Sequence, residues 1–572
     1  MATGARISFE VFDGTAAEVA AFSSPQGQAW VDYGALADSL YPDGDPGNPT
    51  LRRYATGEQD AVRLDGVTRL FPESPGPSLG FWSSVMSGAD GCFPLPAPAL
   101  ACGLGGTPHT SVGITIHFDV SALLQDFDVE WLDAEGAVMA AAHVAGNTER
   151  VAFVEKHVRN YYALRIAFRK TDRPYRYVKI QEIEFGQRVV YDSASLVTAE
   201  VTEEADLSGA SAPAGFLRFT AIDRKGRLNP VNPEGIYAFL RRGMPLHVAF
   251  SFGGAWYPGG VYYLESWEGS NASMARITAV DCLGKSEKEY ESRFYSGVSP
   301  GDALRDIAKG LKVGVCEGKL EVETLTGYIP RSSVQESIAH VCVASGGYIK
   351  AERSGDLSIC RISSQPQEIA AGEVLGEPEA VQVKTPESFE IEVNEYAITD
   401  SSSINSYVLN PLYGYPIGTV LDGIYYFKDG EEPAMYADVI PFDLKGILQA
   451  VGYADRIEYS RVSGENASMS YLNRKVTAEA PQMVSEGDKA GETVSIKGIP
   501  FVTKDNYGKV LAAIKAYYAH RLKIKARVKW QPGLECGACV SLPTRFGPVT
   551  GHITHMDIDL AGGLIASMEV LA

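Results

Sequence analysis

The sequence predicts a mainly β, multidomain protein: a sandwich, then two β-barrel units with a small α+β insert between them. Three observations carry this. Short stretches alternate apolar and polar residues at a period of two over most of the chain. Glycine (58) and proline (31) are plentiful and tyrosine (29) exceeds phenylalanine (22), which suits many short strands joined by turns. Helical periodicity with capping signals is confined to three places. With 572 residues, 45 % apolar and 21 % charged, the chain has room for several cores.

Residues 1–49 read as a mixed N-terminal segment ending in the turn-rich linker "YPDGDPGNP". The sandwich is placed at 50–187. In "GITIHFD" (113–119), Ile114, Ile116 and Phe118 point one way and Thr115, His117 and Asp119 the other. Leu164, Ile166 and Phe168 alternate likewise, followed by a basic turn, then Val178 and Ile180, then Ile183 and Phe185. The phase slips by one between Ile180 and Ile183, which predicts a β-bulge near Gln181 and Glu182. Residues 188–298, with "FLRFTAID", "PLHVAFSF" and "MARITAVDCLG", read as a first barrel.

At 299–365 the texture changes. "SPGDALRDIAKGL" predicts a helix with Ser299 as N-cap, Pro300 in the first turn, Asp302 at the positive end and Gly310 closing it. "RSSVQESIAHVCVASGG" predicts a second, with Ser333 and Glu336 as a capping box and Gly346-Gly347 as the stop. A hairpin turning at Ser354-Gly355 follows. Residues 366–572 read as the second barrel region, with a helix over 504–522 striped by Tyr507, Leu511, Ile514 and Tyr518.

Composition narrows function. The net charge of −20 disfavours sequence-specific nucleic-acid binding and suits the wall of a conduit past which DNA slides. The eight cysteines, Cys92, Cys102, Cys282, Cys316, Cys342, Cys360, Cys536 and Cys539, sit mostly in apolar stretches and read as small hydrophobes in a protein made in a reducing cytosol. The opening "MATGARISFEVFDG" predicts no signal peptide, and no run of about 18 apolar residues predicts a membrane helix.

Catalytic and metal signals are sparse. Cys536 and Cys539 form a CxxC, and His552 and His555 lie close in sequence. A redox motif should open a helix and zinc needs a second ligand pair, so a strand with Cys539 on its apolar side is the plainer reading. There is no GxSxG, HExxH or phosphate loop. A spatial pair of carboxylates stays open, because 71 acids guarantee chance pairs. Trp82, Trp131, Tyr161, Tyr162, Tyr175 and Tyr177 are either sugar-stacking platforms or sandwich packing, and packing is the plainer reading for each. "RKTDRPYR" (169–176) is either a solvated basic turn or one wall of a ligand groove. No catalytic, cofactor or metal residue is assigned; the ligand-binding residues are left open, and the expectation is a protein that is not an enzyme.

The pieces taken in order resemble the tail-tip, or baseplate hub, proteins of tailed bacteriophages and prophages. "SASLVTAEVTEEADLSG" with "FTAID", the segment from "YSGVSPGDALRDIAKGL" to "YIKAERSGDLSI", and the closing "HRLKIKARVKWQPGLECGACVSLPTRFGPVTGHITHMDIDLAGGLIASMEV" carry this over 190–572. Residues 50–187 resemble a discoidin-like, galactose-binding jelly roll through "GNT" (146–148) and "KTDRPYRYVKIQEIEFG". The resemblance implies a homotrimer whose six hub-type barrels match a six-fold tail tube. It implies contacts to the tail tube, the distal tail and other tip proteins, and DNA passing through without specific binding. It also implies a virion location after synthesis in the host cytoplasm, a jelly roll that binds host-surface polysaccharide or packs on a neighbour, and no stable membrane insertion. A secreted carbohydrate-binding protein, or an accessory module of a glycoside hydrolase, is the alternative. The missing signal peptide and the buried type of cysteine count against it. A tail-associated peptidase or lysin is a third reading, and the missing nucleophile and metal motifs count against that.

Overall fold

The computed structural model describes residues 4–25, 28–31, 54–55, 57–58, 69–70, 80–119 and 122–572, the last range broken by short loop gaps. It is mainly β, built from many sheets with four α-helices among the described residues. The largest sheet has 13 strands. Its first half runs Gly186–Asp192, Gly4–Phe12, Pro245–Phe252, Ala255–Asn271, Met274–Val280, Phe216–Ile222 and Leu196–Glu204. The second half continues without a break through Gly547–Asp559, Ile565–Leu571, Leu522–Lys529 and Glu379–Gln382; Cys539–Thr544 joins beside Gly547–Asp559, and Gln367–Glu368 pairs with it.

The seam between the halves is antiparallel, with Glu200 opposite Asp559 and Thr202 opposite Asp557. Alternation makes it work. Ala199 and Val201 point inward with Ile558 and Met556, while Glu200 and Asp559 face out. Both halves therefore drain into one core, in which Ile7, Val201, Phe219 and Phe250 share a cluster with Val528, Trp530 and Ile558. The Trp530 ring stands edge-on to Phe250 at 4.7 Å.

The N-terminal strand Gly4–Phe12 lies inside the first barrel half, between Gly186–Asp192 and Pro245–Phe252. Phe12 pairs with Gly186, and Asp13 N–H donates to the Phe185 carbonyl at 2.9 Å. The sandwich is thus inserted into the barrel through a two-strand neck. Its sheets are Val138–Val144, Leu124–Leu132, Ala163–Thr171, Ala99–Leu104, Ala20–Ser23 and Val151–Tyr161, His109–Phe118, Tyr177–Glu184, Phe81–Met86, Gln28–Val31. Between them lie Ile114, Phe118, Phe127, Trp131, Phe168 and Ile180. Strands at 20–23 and 28–31 extend the sandwich ahead of residue 50, where the sequence pattern places its start. The expected linker at 41–49 lies outside the described residues. The bulge is where the phase slip puts it, because Ile180 pairs with Phe118 and Glu182 with His117, leaving Gln181 over.

Helix α1 (Gly14–Val19) follows the neck, capped by Asp13. Helix α2 (Pro300–Ile307) starts at the Ser299 N-cap, and α3 (Val334–Ser345) at Ser333, whose Oγ accepts the Glu336 N–H at 3.1 Å. Helix α3 ends at Gly346 with φ 70°, a left-handed turn that glycine adopts without a Cβ clash. Helix α4 (Tyr507–Tyr518) packs Val510, Leu511 and Ile514 into the core of the α+β insert, beside Leu304, Val341, Phe389 and Phe501. It belongs to the insert rather than to the second barrel. Residues 396–478 form a further unit of two small sheets and a two-stranded hairpin around Phe427, Ile457, Met469 and Tyr471.

Candidate functional surfaces

The CxxC lies inside the protein. Cys536 and Cys539 are buried, free thiols. Burial pushes the Cys536 thiol far above the usual thiol range and raises Cys539 too, which disfavours the thiolate form of both. Cys539 pairs across the strands with His552, while His555 faces out and holds Asp557 at 3.1 Å. Among the described residues no group of three or more His, Cys, Asp or Glu side chains converges as a metal cluster would. The expectation of reduced cysteines needs correction, since Cys360 is disulfide-bonded. The pattern reading fails there because a cysteine on a buried strand looks alike whether bridged or free.

The sandwich aromatics resolve individually. Trp131 and Tyr161 are core residues, and Trp82 is buried beneath the Lys179 ammonium, 4.2 Å from its ring centre. Lys179 also bonds Glu58 at 2.6 Å. Tyr162 and Tyr177 are half-buried; Tyr175 alone of the six is exposed, at a turn with φ 54°. In the basic loop, Arg169 pairs with Asp128 at 2.6 Å and Arg173 with Asp172 at 3.1 Å. Apart from the exposed Tyr175, these rings are taken up wholly or partly in packing.

The neck holds a hydroxyl–imidazole–carboxylate chain. Thr107 Oγ1 lies 3.1 Å from His109 Nε2, and His109 Nδ1 lies 3.0 Å from Asp13 Oδ2. Burial works against the Asp13 charge, but hydrogen bonds from Thr15, His109 and the Ala16 N–H hold its carboxyl below the usual range. Asp13 caps α1 with its other oxygen, so the chain ties the sandwich to its root.

Three units meet at a charged junction. Arg353, on the insert hairpin, donates to both oxygens of Glu203 at 2.7 and 3.1 Å and to the Leu534 carbonyl at 2.7 Å. Lys350 reaches Glu535 at 2.9 Å and Glu352 at 3.3 Å. Asp281 is buried nearby; burial pushes its carboxyl up to about 6, although N–H groups of Gly284, Gly215 and Leu283 oppose the shift. One signal for this junction was present in sequence: Glu203 is an acid at an inward position of the Ala199–Val201 alternation.

Two further surfaces stand out. A cleft of about 510 Å³ opens between the end of α2 and the 396–478 unit, lined by Arg293, Ile307, Lys309, Tyr436 and Val451. On the outer face of the large sheet, Lys523, Lys525, Arg527 and Lys529 form a basic stripe. It lies directly beside acids, with Lys525 at 3.1 Å from Glu569 and Lys529 at 3.4 Å from Glu373. The face is mixed in sign.

No protein-family model matches the chain, and no curated protein matches it. Among solved structures, the 43 kDa tail protein of prophage MuSo2 from Shewanella oneidensis is similar, with a TM-score of 0.38 and 12 % identity over 67 % of this chain and 95 % of that one. A tail protein of Neisseria meningitidis gives 0.38 and 11 % over 66 % and 92 %. A component of the E. coli type VI secretion system, described as structurally similar to bacteriophage T4 tail proteins, gives 0.32 and 7 % over 66 % and 73 %. The likeness is loose.

Proposed function

We propose that this chain is a structural component of a phage or prophage tail tip, a hub that adapts the tail tube to the tip as a homotrimer. The observation that carries the reading is the shared sheet. Two barrel halves fused through Leu196–Glu204 and Gly547–Asp559, with one common core, make a rigid body suited to load and assembly. The insert is locked onto both halves by Arg353, which further stiffens it. In this reading the barrels surround the DNA path, the mixed-sign face limits sticking, and the sandwich stands at the periphery. The buried state of Trp82, Trp131 and Tyr161 favours a sandwich that packs on a neighbouring tail protein over one that stacks sugars.

The test is localisation. Particles from a strain carrying a tagged copy are imaged, and a deletion strain is examined for tail tubes lacking a tip. Label at the tip and tipless tubes are expected. Label absent from particles, or intact tips without the gene, would overturn the reading.

A further inference from the structure

The first barrel half keeps an open seam. Gly186–Asp192 ends the large sheet, paired with Gly4–Phe12 on one side and with no strand on the other among the described residues. Facing that edge is the turn that follows Phe216–Ile222. The two run together at Ser195, whose carbonyl accepts the Ile222 N–H at 2.8 Å. Between them opens a cleft of about 570 Å³. A strand fills on the order of 160 Å³ per residue, from a rise of ~3.4 Å, a strand spacing of ~4.8 Å and a sheet spacing of ~10 Å. The cleft therefore has room for about three or four residues of extended chain.

The backbone of the edge is turned into this space. The Gly186 carbonyl accepts from Thr115 Oγ1 at 2.8 Å, and the Asp192 N–H donates to Ser195 Oγ at 2.7 Å. Even-numbered residues of the strand thus aim their polar groups away from Gly4–Phe12. Val190 lies between them in the same phase, so its N–H and C=O face the cleft it lines.

The walls are sorted by polarity. Val189, Tyr191 and Ile236 make the inner wall and belong to the barrel core. Arg188, Arg224, Lys225 and Arg227 line the cleft too, with a single acid, Asp223. Arg188 is committed to Glu10 at 3.1 Å. Asp223 spends its oxygens on the Arg227 and Leu228 N–H groups, at 2.9 and 2.8 Å. Arg227 stands 3.7 Å from Glu155, and its buried Nε meets no acceptor, which is costly for a charged donor. Arg224 and Lys225 are exposed, and neither forms an ion pair among the described residues. The cleft thus carries uncompensated positive charge on a chain whose net charge is −20.

We infer that this cleft takes an acidic, extended segment of another protein by strand addition to the Gly186–Asp192 edge. Its apolar side chains turn to Val189 and Tyr191, and its carboxylates to Arg224, Lys225 and Arg227. A period of two does this sorting, as in the neighbouring Gly4–Phe12, where Ile7, Phe9 and Val11 face the core. A phosphate group has nothing apolar to set against the inner wall, and a nucleic-acid strand has no amide backbone to pair with the edge. The tail-tip role is not needed for this binding, which reads out in the isolated chain.

The experiment uses the full chain and fluorescence anisotropy, with a fluorescein-labelled hexapeptide of alternating glutamate and valine as the probe. Saturable binding is expected, and none with the lysine–valine counterpart. Arg224→Glu with Lys225→Glu changes two exposed side chains, and circular dichroism checks that the variant stays folded. It is expected to weaken binding at least about tenfold. Two further peptides are N-methylated at every glutamate or at every valine. In a strand seated on an edge only one of these phases faces the partner, so one peptide is expected to lose at least about tenfold in affinity and the other to keep it. No binding up to about 1 mM overturns the inference. So do equal binding of the lysine peptide, equal binding by the charge-reversed variant, or full binding of both N-methylated peptides. Displacement of the probe by inorganic phosphate or oligothymidylate, at lower concentration than unlabelled peptide requires, would assign the cleft to phosphate and overturn it as well.

Discussion

Replacing Arg353 by methionine should loosen the junction of barrels and insert more than any other single change there. The methionine keeps the side-chain stem but removes three hydrogen bonds, two to Glu203 and one to the Leu534 carbonyl. It also removes a guanidinium placed 5.5 Å from the rings of Phe250 and Trp530. Both partners of the ion pair are largely buried, at 13 % and 14 % side-chain exposure. Glu203 would be left as a buried charge near Glu535 and Asp281, and stranding one member of such a pair costs roughly 3–5 kcal/mol. Glu203→Gln in the same chain removes the stranded charge, so the double variant should recover more than about 1 kcal/mol of that loss. The chain has several cores, and one global unfolding energy is not well defined. The assay is therefore hydrogen exchange of peptides covering 347–360 and 530–540. Protection there should drop in Arg353→Met and partly return in the double variant. A change below about 0.5 kcal/mol in Arg353→Met, or strict additivity in the double variant, would refute the reasoning.

Asp281 should make the same junction pH-dependent: its folded value near 6 lies above the ordinary aspartate value of about 3.8, so its contribution is full below about 4 and falls by roughly 3 kcal/mol as pH rises past 6. Exchange at 281–285, compared between wild type and Asp281→Asn from pH 4 to 7, checks this, and a pH-independent difference would contradict it. Replacing 14–184 by a two-residue turn should leave the barrel folded, because Phe12 and Gly186 are already paired; loss of the β circular-dichroism signal and of cooperative melting would count against the insertion. The excised piece 14–185 should melt higher than 50–187, which lacks the strands at 20–23 and 28–31; equal melting temperatures would mean those strands add nothing. Native alkylation at pH 8 followed by mass spectrometry should label exposed Cys92 and spare Cys536 and Cys539 until the chain is unfolded.

Local features were legible in sequence and long-range ones were not. Ser299, Ser333 and Gly346 act within one helical turn, so their spacing alone locates α2 and α3. The bulge at Gln181 was legible because a slip in alternation is visible within six residues. The strand Gly4–Phe12 alternates through Ile7, Phe9 and Val11, yet its partners begin at Gly186 and Pro245. Nothing within nine residues says which sheet receives such a strand. Helix α4 has a correct stripe but an unforeseen home, since Leu304 and Val341, which share its core, lie more than 150 residues earlier. The exposed apolar residues of 396–478, Ile404 and Val420 among them, look in sequence the same as buried strand residues. Packing between the two sheets, Tyr425 against Tyr407 and Tyr471 and Phe427 against Tyr471, decides which side of each strand is inward.

The neck also sets how the sandwich bears load. Any pull on it enters the barrel at Phe12 and Gly186, the end of the strand pair nearest the sandwich, where the hydrogen bonds run across the line of force. Tension on the two strands together draws both the same way, while tension on one alone peels the ladder one rung at a time. Gly4–Phe12 is gripped on its other side by Pro245–Phe252, with Phe9 opposite Leu246. Peeling would therefore spare that strand and release Gly186–Asp192 first, so that a tug strong enough to part the neck would swing the sandwich out on a single tether while its N-terminal root stayed seated.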